Sequence, residues 1–283
     1  MLTPLLAVTA VYDIGRAAVG RPIEDYVDWL NATLRLPIRF VVFLDPSISA
    51  ELIRLKPDDR ILQLPLETFR PFQWSVQVAG IKQPSGSTDL TFTLPRYALL
   101  VMSKLAMLER VAQREGDACK MLWIDAGLSR FFRDDMAAGR ASQEAFDVLS
   151  DADFAASITP KCARAIRDGV AASYIGTAAR LVTAGDMYAT GAGAKAAATK
   201  LYEMVEQCWL PNDQWDNEQV ALACLLDAGW PGFRITGVSR GYATLLSDLF
   251  GLRRRRLGML GRLETAFDHM RRLGTTGPKR SSS

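Results

Sequence analysis

Continuous apolar runs and helical spacings alternate along the first 124 residues. Four short apolar runs predict buried strands, at residues 5–11, 40–44, 61–64 and 121–124. After Pro22, apolar residues share one helical face, namely Ile23, Tyr26, Val27, Leu30 and Leu34. A second, longer helix is predicted from Pro95 to about Gly116. This alternation predicts an α/β fold with a mostly parallel sheet flanked by helices on both faces.

The second half of the chain has a weaker pattern. The segment 170–198 is rich in alanine and glycine and predicts a strand near 172–175, then a helix that runs to Cys208. A helix over 217–227, an edge strand over 233–238 and a helix over 242–252 follow. The G-A-G-A segment at 191–194 does not match a phosphate loop, since no strand is predicted before it and the later glycine of the fingerprint is missing.

The composition is that of a globular protein. Of the 283 residues, 49% are hydrophobic and 23% are charged, which excludes a disordered chain, a collagen-like fibre and a coiled-coil rod. The apolar start leads directly into Asp13, so it is interpreted as a strand and not as a secretion signal. The four cysteines form no C-x-x-C pair, and a cytoplasmic location is therefore expected.

Charge separates a C-terminal segment from the rest. Residues 252–283 carry nine basic and two acidic residues, although the whole chain has a net charge of only +3. We therefore expect one domain over 1–251 and a basic helical tail over 252–283. Four consecutive arginines and the apolar positions that follow them (Leu257, Leu260, Leu263, Phe267 and Met270) fit either peripheral binding to an anionic membrane or a helix packed on the domain. Nucleic acid is not the expected partner, because the basic run lacks interleaved aromatic residues.

Polar residues lie at the ends of two predicted strands, and ligands of open parallel sheets bind at the carboxyl ends of the strands. Thr9, Asp13 and Arg16 belong to the first strand end, and Asp125 and Gly127 follow the fourth strand. An acid there either coordinates a hard divalent cation, binds a sugar hydroxyl, or simply forms a turn. An arginine there either binds a phosphate or is a surface residue. The only histidine, His269, lies in the tail, so carboxylates, lysines, arginines or a metal must carry any chemistry.

Two other segments carry candidate chemistry. Lys104 is the only charged residue of the stretch 97–108, where a lysine either extends its stem towards solvent or approaches an anion. Residues 215–219, W-D-N-E-Q, place two acids and two amides just before a predicted helix. This segment suits helix capping, or an acid-rich rim that binds sugar hydroxyls and supplies a base.

Taken together, these segments resemble a known family. V-T-A-V-Y-D-I-G-R, E-D-Y-V-D-W-L, R-F-V-V-F-L-D, P-R-Y-A-L-L-V-M-S-K, L-W-I-D-A-G and D-N-E-Q-V-A-L occur in this order over residues 5–230. In this order they resemble the HtrL/YibB family of bacterial proteins, which look like glycosyltransferases of the GT-A type. The resemblance implies a GT-A-like, Rossmann-like fold, a nucleotide-sugar donor, and a glycan or lipid-linked acceptor in surface polysaccharide biosynthesis.

The resemblance also implies roles for particular residues. Asp125 takes the place of the first acid of the Asp-x-Asp motif, which holds manganese or magnesium and the donor diphosphate, but Gly127 replaces the second acid. Asp216 or Glu218 is expected to be the catalytic base. The remaining donor contacts are expected from the strand ends, from the helix at 97–108 and from the acid-rich segment, namely Thr9, Tyr12, Asp13, Arg16, Lys104, Asp125, Gly127 and Gln219. Trp215 or Tyr12 is expected to stack on a ring of the donor.

Two alternatives stay open from the sequence. A nucleotidyltransferase has a related layout but usually carries a glycine-rich, basic loop after its first strand, and A-V-Y-D-I-G-R is poor in glycine. A non-catalytic protein of the same fold that binds nucleotide sugars would explain the missing second acid at Gly127.

Overall fold

The structure is a computed structural model that describes residues 5–82, 84–149, 151–239 and 241–255. Within these residues one sheet of seven strands forms the centre of the molecule, in the order β3-β2-β1-β4-β6-β5-β7. The strands are β1 (Leu5–Val11), β2 (Arg39–Leu44), β3 (Arg60–Gln63), β4 (Lys120–Ile124), β5 (Phe154–Ile158), β6 (Val182–Thr190) and β7 (Phe233–Val238).

Most neighbouring strands run parallel. β1 pairs in parallel with both β2 and β4, β2 with β3, and β5 with β7. The exception is β6, which lies antiparallel to both β4 and β5, with Asp186 opposite Ile124. The mostly parallel α/β sheet expected from the sequence is confirmed, and β6 makes it mixed.

Helices cover both faces of the sheet, as predicted. They are α1 (Ile23–Thr33), α2 (Ser75–Gly80), α3 (Leu90–Thr93), α4 (Pro95–Met102), α5 (Lys104–Glu115), α6 (Gln143–Asp147), α7 (Pro160–Arg167), α8 (Gly191–Met204), α9 (Glu218–Asp227) and α10 (Thr244–Phe250). Because strand side chains alternate between faces, Leu6 and Val8 join a core with α4, α5, α8 and α9. Ala7 and Val11 join the opposite core with α1 and α10.

The strand predicted at 172–175 is wrong. Residues Ala171–Tyr174 form a 3-10 turn, and the strand lies further on, at β6. Alanine and serine carry little strand preference, whereas the real strand was hidden because Gly185 and Asp186 interrupt its apolar pattern. β5 was also not predicted.

The long helix predicted from Pro95 is interrupted at Ser103. The Ser103 hydroxyl donates to the Leu99 carbonyl at 2.8 Å, and the Tyr202 hydroxyl donates to the Met102 carbonyl at 3.2 Å. α4 therefore ends at Met102 and α5 begins at Lys104. The break brings the lysine to the start of a helix, at the carboxyl end of the sheet, and not into the middle of an apolar face.

The G-A-G-A segment directly follows β6, although no strand was predicted before it. One of the two reasons for excluding a phosphate loop is therefore wrong. Its glycines serve close packing, because a Cβ on Gly191 would overlap the Gly116 carbonyl oxygen and one on Gly193 would overlap that of Asp153. The Thr190 hydroxyl accepts from the Gly193 N–H at 2.9 Å and caps α8. These backbone contacts occupy the helix start.

The described chain continues on the domain beyond the predicted boundary at 251. Leu252 is buried, Arg253 pairs with Asp134 at 2.6 Å, and the Arg255 side chain donates to the Phe132 carbonyl at 2.9 Å. Residues 256–283, which include most of the predicted tail and His269, lie outside the described residues. No helix in the described part of the chain is both long and apolar enough to cross a membrane.

Candidate active site

Three charged side chains meet where β4 ends. The Lys104 ammonium lies 2.9 Å from Asp125 Oδ1 and 2.8 Å from Glu218 Oε1, and it also donates to the Ala184 carbonyl at 2.9 Å. We call Lys104, Asp125 and Glu218 the lysine–carboxylate cluster. The three residues come from the start of α5, the end of β4 and the start of α9, so the fold joins segments that are far apart in sequence.

Local structure fixes the two carboxylates. The Asp125 N–H donates to the Gly185 carbonyl at 2.8 Å, which continues the pairing of β4 with β6, and the Trp123 indole N–H donates to Asp125 Oδ1 at 2.7 Å. Glu218 is the first residue of α9, and Asn217 caps the N-terminus of this helix. The Asn217 Oδ1 accepts from the N–H groups of Gln219 and Val220. The capping reading of W-D-N-E-Q is thus confirmed for Asn217, and it places the Glu218 carboxylate inward.

Lys104 keeps its positive charge although it is buried. Burial alone lowers the pKa of Lys104, but Asp125 and Glu218 raise that pKa by more, so the ammonium stays protonated. Burial raises the pKa of Glu218, and Lys104 opposes this shift. The exposed fractions of the side chains are 7% for Lys104, 5% for Glu218 and 39% for Asp125. Asp125 is therefore the member of the cluster that is open to a ligand.

A cationic side chain lies beside this cluster. The Arg16 guanidinium lies between the rings of Tyr26 and Tyr97, at 5.4 Å and 5.2 Å from their centroids. The buried Arg16 Nε and the Tyr26 hydroxyl have no hydrogen-bond partner in the described structure. Burial and the nearby Glu218 raise the pKa of Tyr97 to about 12, while Lys104 and Arg16 act against this. The charges of Arg16 and of the lysine–carboxylate cluster therefore both act on the Tyr97 hydroxyl.

A second arginine, which the sequence analysis missed, completes this side of the site. Arg130 lies in the 3-10 turn after Asp125, with its guanidinium 4.6 Å from the Trp29 ring centroid and 4.7 Å from that of Phe131. Burial lowers the pKa of Arg130, and the neighbouring positive charges of Arg21 and Arg16 lower it further.

We call Arg16, Arg21 and Arg130 the arginine cluster. Among the described residues, no carboxylate lies within ion-pair distance of Arg16 or Arg130. The only signal in the sequence was that Arg130 follows Asp125 closely in the segment leaving a buried strand.

Gly127 makes room for this arginine. A Cβ at Gly127 would lie 3.3 Å from Arg130 Nη1 and 3.4 Å from the Trp29 ring. Gly127 is itself buried, so the space it leaves is filled by protein side chains. The predicted contact of Gly127 with a ligand stays a prediction. In this structure the missing side chain of Gly127 leaves space for the side chains of Arg130 and Trp29.

Three of the predicted residues, Thr9, Tyr12 and Trp215, are buried. Thr9 is fully buried in β1, and Tyr12 is buried, with its hydroxyl donating to the Leu64 carbonyl at 3.0 Å. Trp215 is also buried, against Trp74. Tyr12 and Trp215 are at most 5% exposed, and the expected stacking of either ring on the donor stays a prediction. Gln219 is half-buried at the start of α9.

Asp216 anchors a loop. Its Oδ2 accepts from the N–H groups of Thr177 at 2.9 Å and Ala178 at 3.0 Å, and its Oδ1 accepts from the Asn217 N–H at 2.7 Å. Burial raises its pKa to about 6, against the effect of these backbone donors. The carboxylate is fully buried, a geometry that favours a structural role over the predicted role as base.

Asp13 stays at the surface. Its Oδ1 accepts from the Gly15 N–H at 3.0 Å, and its own N–H donates to Asp45 Oδ2 at 3.2 Å. It lies with Asp45 at the carboxyl ends of β1 and β2, within reach of a ligand bound at this edge. Its predicted contact with the donor stays a prediction.

The residues at Asp125 do not fit a divalent metal ion. Magnesium requires near-octahedral oxygen ligands, but Asp125 contributes a single open carboxylate here, since the nearby Glu218 carboxylate is buried and paired with the Lys104 ammonium. The described residues contain no group of three or more histidine, cysteine or acidic side chains that could hold a metal. The position between the two carboxylates is taken by a protein cation.

The comparisons with known proteins concern the fold. No protein-family model matches the chain, and no curated protein matches its sequence. One similar solved structure is the apo form of mouse xyloside xylosyltransferase 1, with 11% identity, a TM-score of 0.41, and coverage of 82% of this chain and 84% of that one. Another is the galactosyltransferase LgtC with donor and acceptor sugar analogues, with 16% identity, a TM-score of 0.47, and coverage of 97% and 98%. Similarity of this degree does not assign an activity to this chain.

Proposed function

We propose that this protein is a glycosyltransferase whose donor is a sugar linked to a nucleoside diphosphate. The observation that supports the proposal is the combination of Arg16 and Arg130, which lack acidic partners among the described residues, with the open carboxylate of Asp125. They lie at the carboxyl edge of the parallel strands, where ligands of such sheets bind.

The two halves of the site suit the two halves of such a donor. Arginine presents its N–H groups as a planar fork that matches phosphate oxygens, and uncompensated arginines favour an anion between them. A partly exposed carboxylate accepts hydrogen bonds from sugar hydroxyls. The sugar would therefore lie against Asp125, with the diphosphate towards Arg16 and Arg130.

The other acids are assigned supporting roles. Glu218 was expected to be the base, but it is nearly buried and paired with Lys104, so we assign it to hold the ammonium against Asp125. Asp216 is assigned to hold the loop at Thr177 and Ala178. The acceptor is proposed, from the resemblance alone, to be a glycan or a lipid-linked sugar.

Sugar nucleotides test the proposal directly. A panel of UDP-, GDP- and CMP-linked sugars, with nucleoside triphosphates added for the nucleotidyltransferase alternative, is screened for a rise in melting temperature and for hydrolysis without acceptor. We expect a sugar nucleotide to stabilise the protein and to be hydrolysed slowly. Turnover of a nucleoside triphosphate with release of pyrophosphate would favour the alternative, and binding without hydrolysis or transfer would favour a non-catalytic protein.

Asp125→Asn tests the residue assignment. It keeps the size of the side chain but removes the charge that faces the ligand and pairs with Lys104, so we expect turnover to fall by orders of magnitude and the melting temperature to fall modestly. Asp58→Asn, at an exposed position away from the site, is the matched control. Unchanged affinity and turnover in Asp125→Asn would show that Asp125 is structural.

A further inference from the structure

We propose that sugar transfer at this site needs no divalent metal, because protein cations occupy both positions where a metal would act. The inference rests on the proposed function and concerns how that function is carried out. It departs from the metal that the resemblance implies at Asp125.

The first position is the one between the carboxylates. The ammonium of Lys104 has three N–H donors, and its acceptors are Asp125, Glu218 and the Ala184 carbonyl, at 2.8 to 3.2 Å. Every donor is therefore used inside the protein. A divalent ion at Asp125 would face a buried positive charge that is already paired, and would have to expel it or accept its repulsion. Lys104 is a positioning residue here, since it touches the carboxylates and leaves no donor for the substrate.

The second position is beside the leaving diphosphate. The guanidinium groups of Arg16 and Arg130 lie 5.4 Å from the Tyr26 ring and 4.6 Å from the Trp29 ring, and these two ring centroids are 5.1 Å apart. Neither arginine has an acidic partner among the described residues. The Arg16 Nε and the Tyr26 hydroxyl are buried polar groups with unused hydrogen-bonding capacity. A diphosphate bound beside the two guanidinium groups would balance their charge.

The chemistry of transfer fits this assignment. The bond between the anomeric carbon and the diphosphate oxygen breaks, and its electron pair leaves with the diphosphate. The acceptor hydroxyl oxygen bonds to the anomeric carbon, and its proton passes to water. The charge that grows on the diphosphate is the charge that fixed cations stabilise most in a water-poor site, and the arginine cluster supplies such cations.

Binding of inorganic pyrophosphate tests the arginines without any assumption about the sugar. Calorimetric titration of the full chain in excess EDTA is expected to show binding, and Arg130→Met is expected to weaken it by about tenfold or more. Arg16→Met repeats the test in case the first variant folds poorly, and Arg133→Met, at an exposed arginine of the same segment, is the control. Equal pyrophosphate binding by wild type, Arg16→Met and Arg130→Met would overturn the arginine assignment.

Metal dependence is tested with the sugar nucleotide that the panel identifies. We expect hydrolysis to continue in EDTA and to be unchanged when manganese is added. Hydrolysis that stops in EDTA and returns with manganese would overturn the inference and leave the proposed transferase intact. A protein that acts on no sugar nucleotide with or without manganese would overturn the proposed function itself.

Discussion

A buried acid outside the proposed chemistry gives a sharp test of the structure. Asp186 lies in β6 with no exposed surface; its Oδ2 accepts from the Leu246 N–H at 2.7 Å, and its Oδ1 has no hydrogen-bond partner in the described structure. Burial raises its pKa from 3.8 to about 7, and the one backbone donor opposes this only in part. The folded protein therefore disfavours the ionised form of Asp186.

The raised pKa of Asp186 makes the folding stability fall as the pH rises. At low pH the carboxyl is protonated in both the folded and the unfolded chain, so it costs nothing. As the pH rises from 4 to 7, the unfolded chain loses the proton before the folded one does, so folding stability falls. Raising the pKa from 3.8 to about 7 corresponds, by the pKa relation, to a loss of folding stability on the order of 4 kcal/mol, which is complete above about pH 7. Because Asp186 is fully buried, solvent screens little of this loss of stability.

Asp186→Asn removes this titration. The amide keeps an acceptor for the Leu246 N–H but brings an unpaired N–H₂, which costs about 1–3 kcal/mol at every pH. The informative quantity is therefore the change with pH: relative to wild type, the variant should gain stability between about pH 5 and about pH 8. Urea unfolding at both pH values measures it, with Asp58→Asn as control. The same difference between variant and wild type at both pH values would refute the assignment of a raised pKa to Asp186.

Two further substitutions test the packing described above. Lys104→Met leaves the buried Glu218 carboxylate without its cation and should destabilise the protein by about 3–5 kcal/mol. Glu218→Gln added to it should recover part of that loss, and strictly additive effects in urea unfolding would argue against direct pairing. Gly193→Ala should destabilise by about 1–3 kcal/mol through overlap with the Asp153 carbonyl, although alanine is the better helix former. Gly80→Ala, which meets no neighbouring atom in α2, should be neutral or stabilising, so equal thermal shifts for the two alanine variants would contradict the packing.

The sequence predicted the elements whose pattern is continuous. β1 to β4 were located to within one residue at each end, and β7 and α9 were also found. β6 was missed because Gly185 and Asp186 fall in its middle, so its burial depends on neighbouring strands that a sequence window does not include. The break at Ser103 was missed because neither glycine nor proline marks it, and a carbonyl contact from Tyr202 stabilises it.

The sequence predicted only part of the site, again because the positions of side chains depend on how distant segments pack. The rule that ligands bind at strand ends identified Asp125, but it does not say to which face a side chain turns, and Tyr12 turns into the core. Lys104 and Glu218 were each singled out, while their pairing with Asp125 depends on how α5 and α9 pack. Arg130 was missed because an arginine near aromatic residues has no distinctive sequence pattern. Only the fold shows that it has no acidic partner among the described residues.

The position of α10 bears on how the chain folds during translation. One face of the sheet, which carries Phe40 and Leu122, is closed partly by α10 and Leu252, the last buried residue of the described chain. β1 to β4 are synthesised long before that, and domains fold as the chain leaves the ribosome. Until α10 and Leu252 have emerged, the part of this face that they cover stays exposed, and exposed apolar surface makes folding intermediates prone to aggregation. Packing of this face can therefore be completed only after α10 has been synthesised.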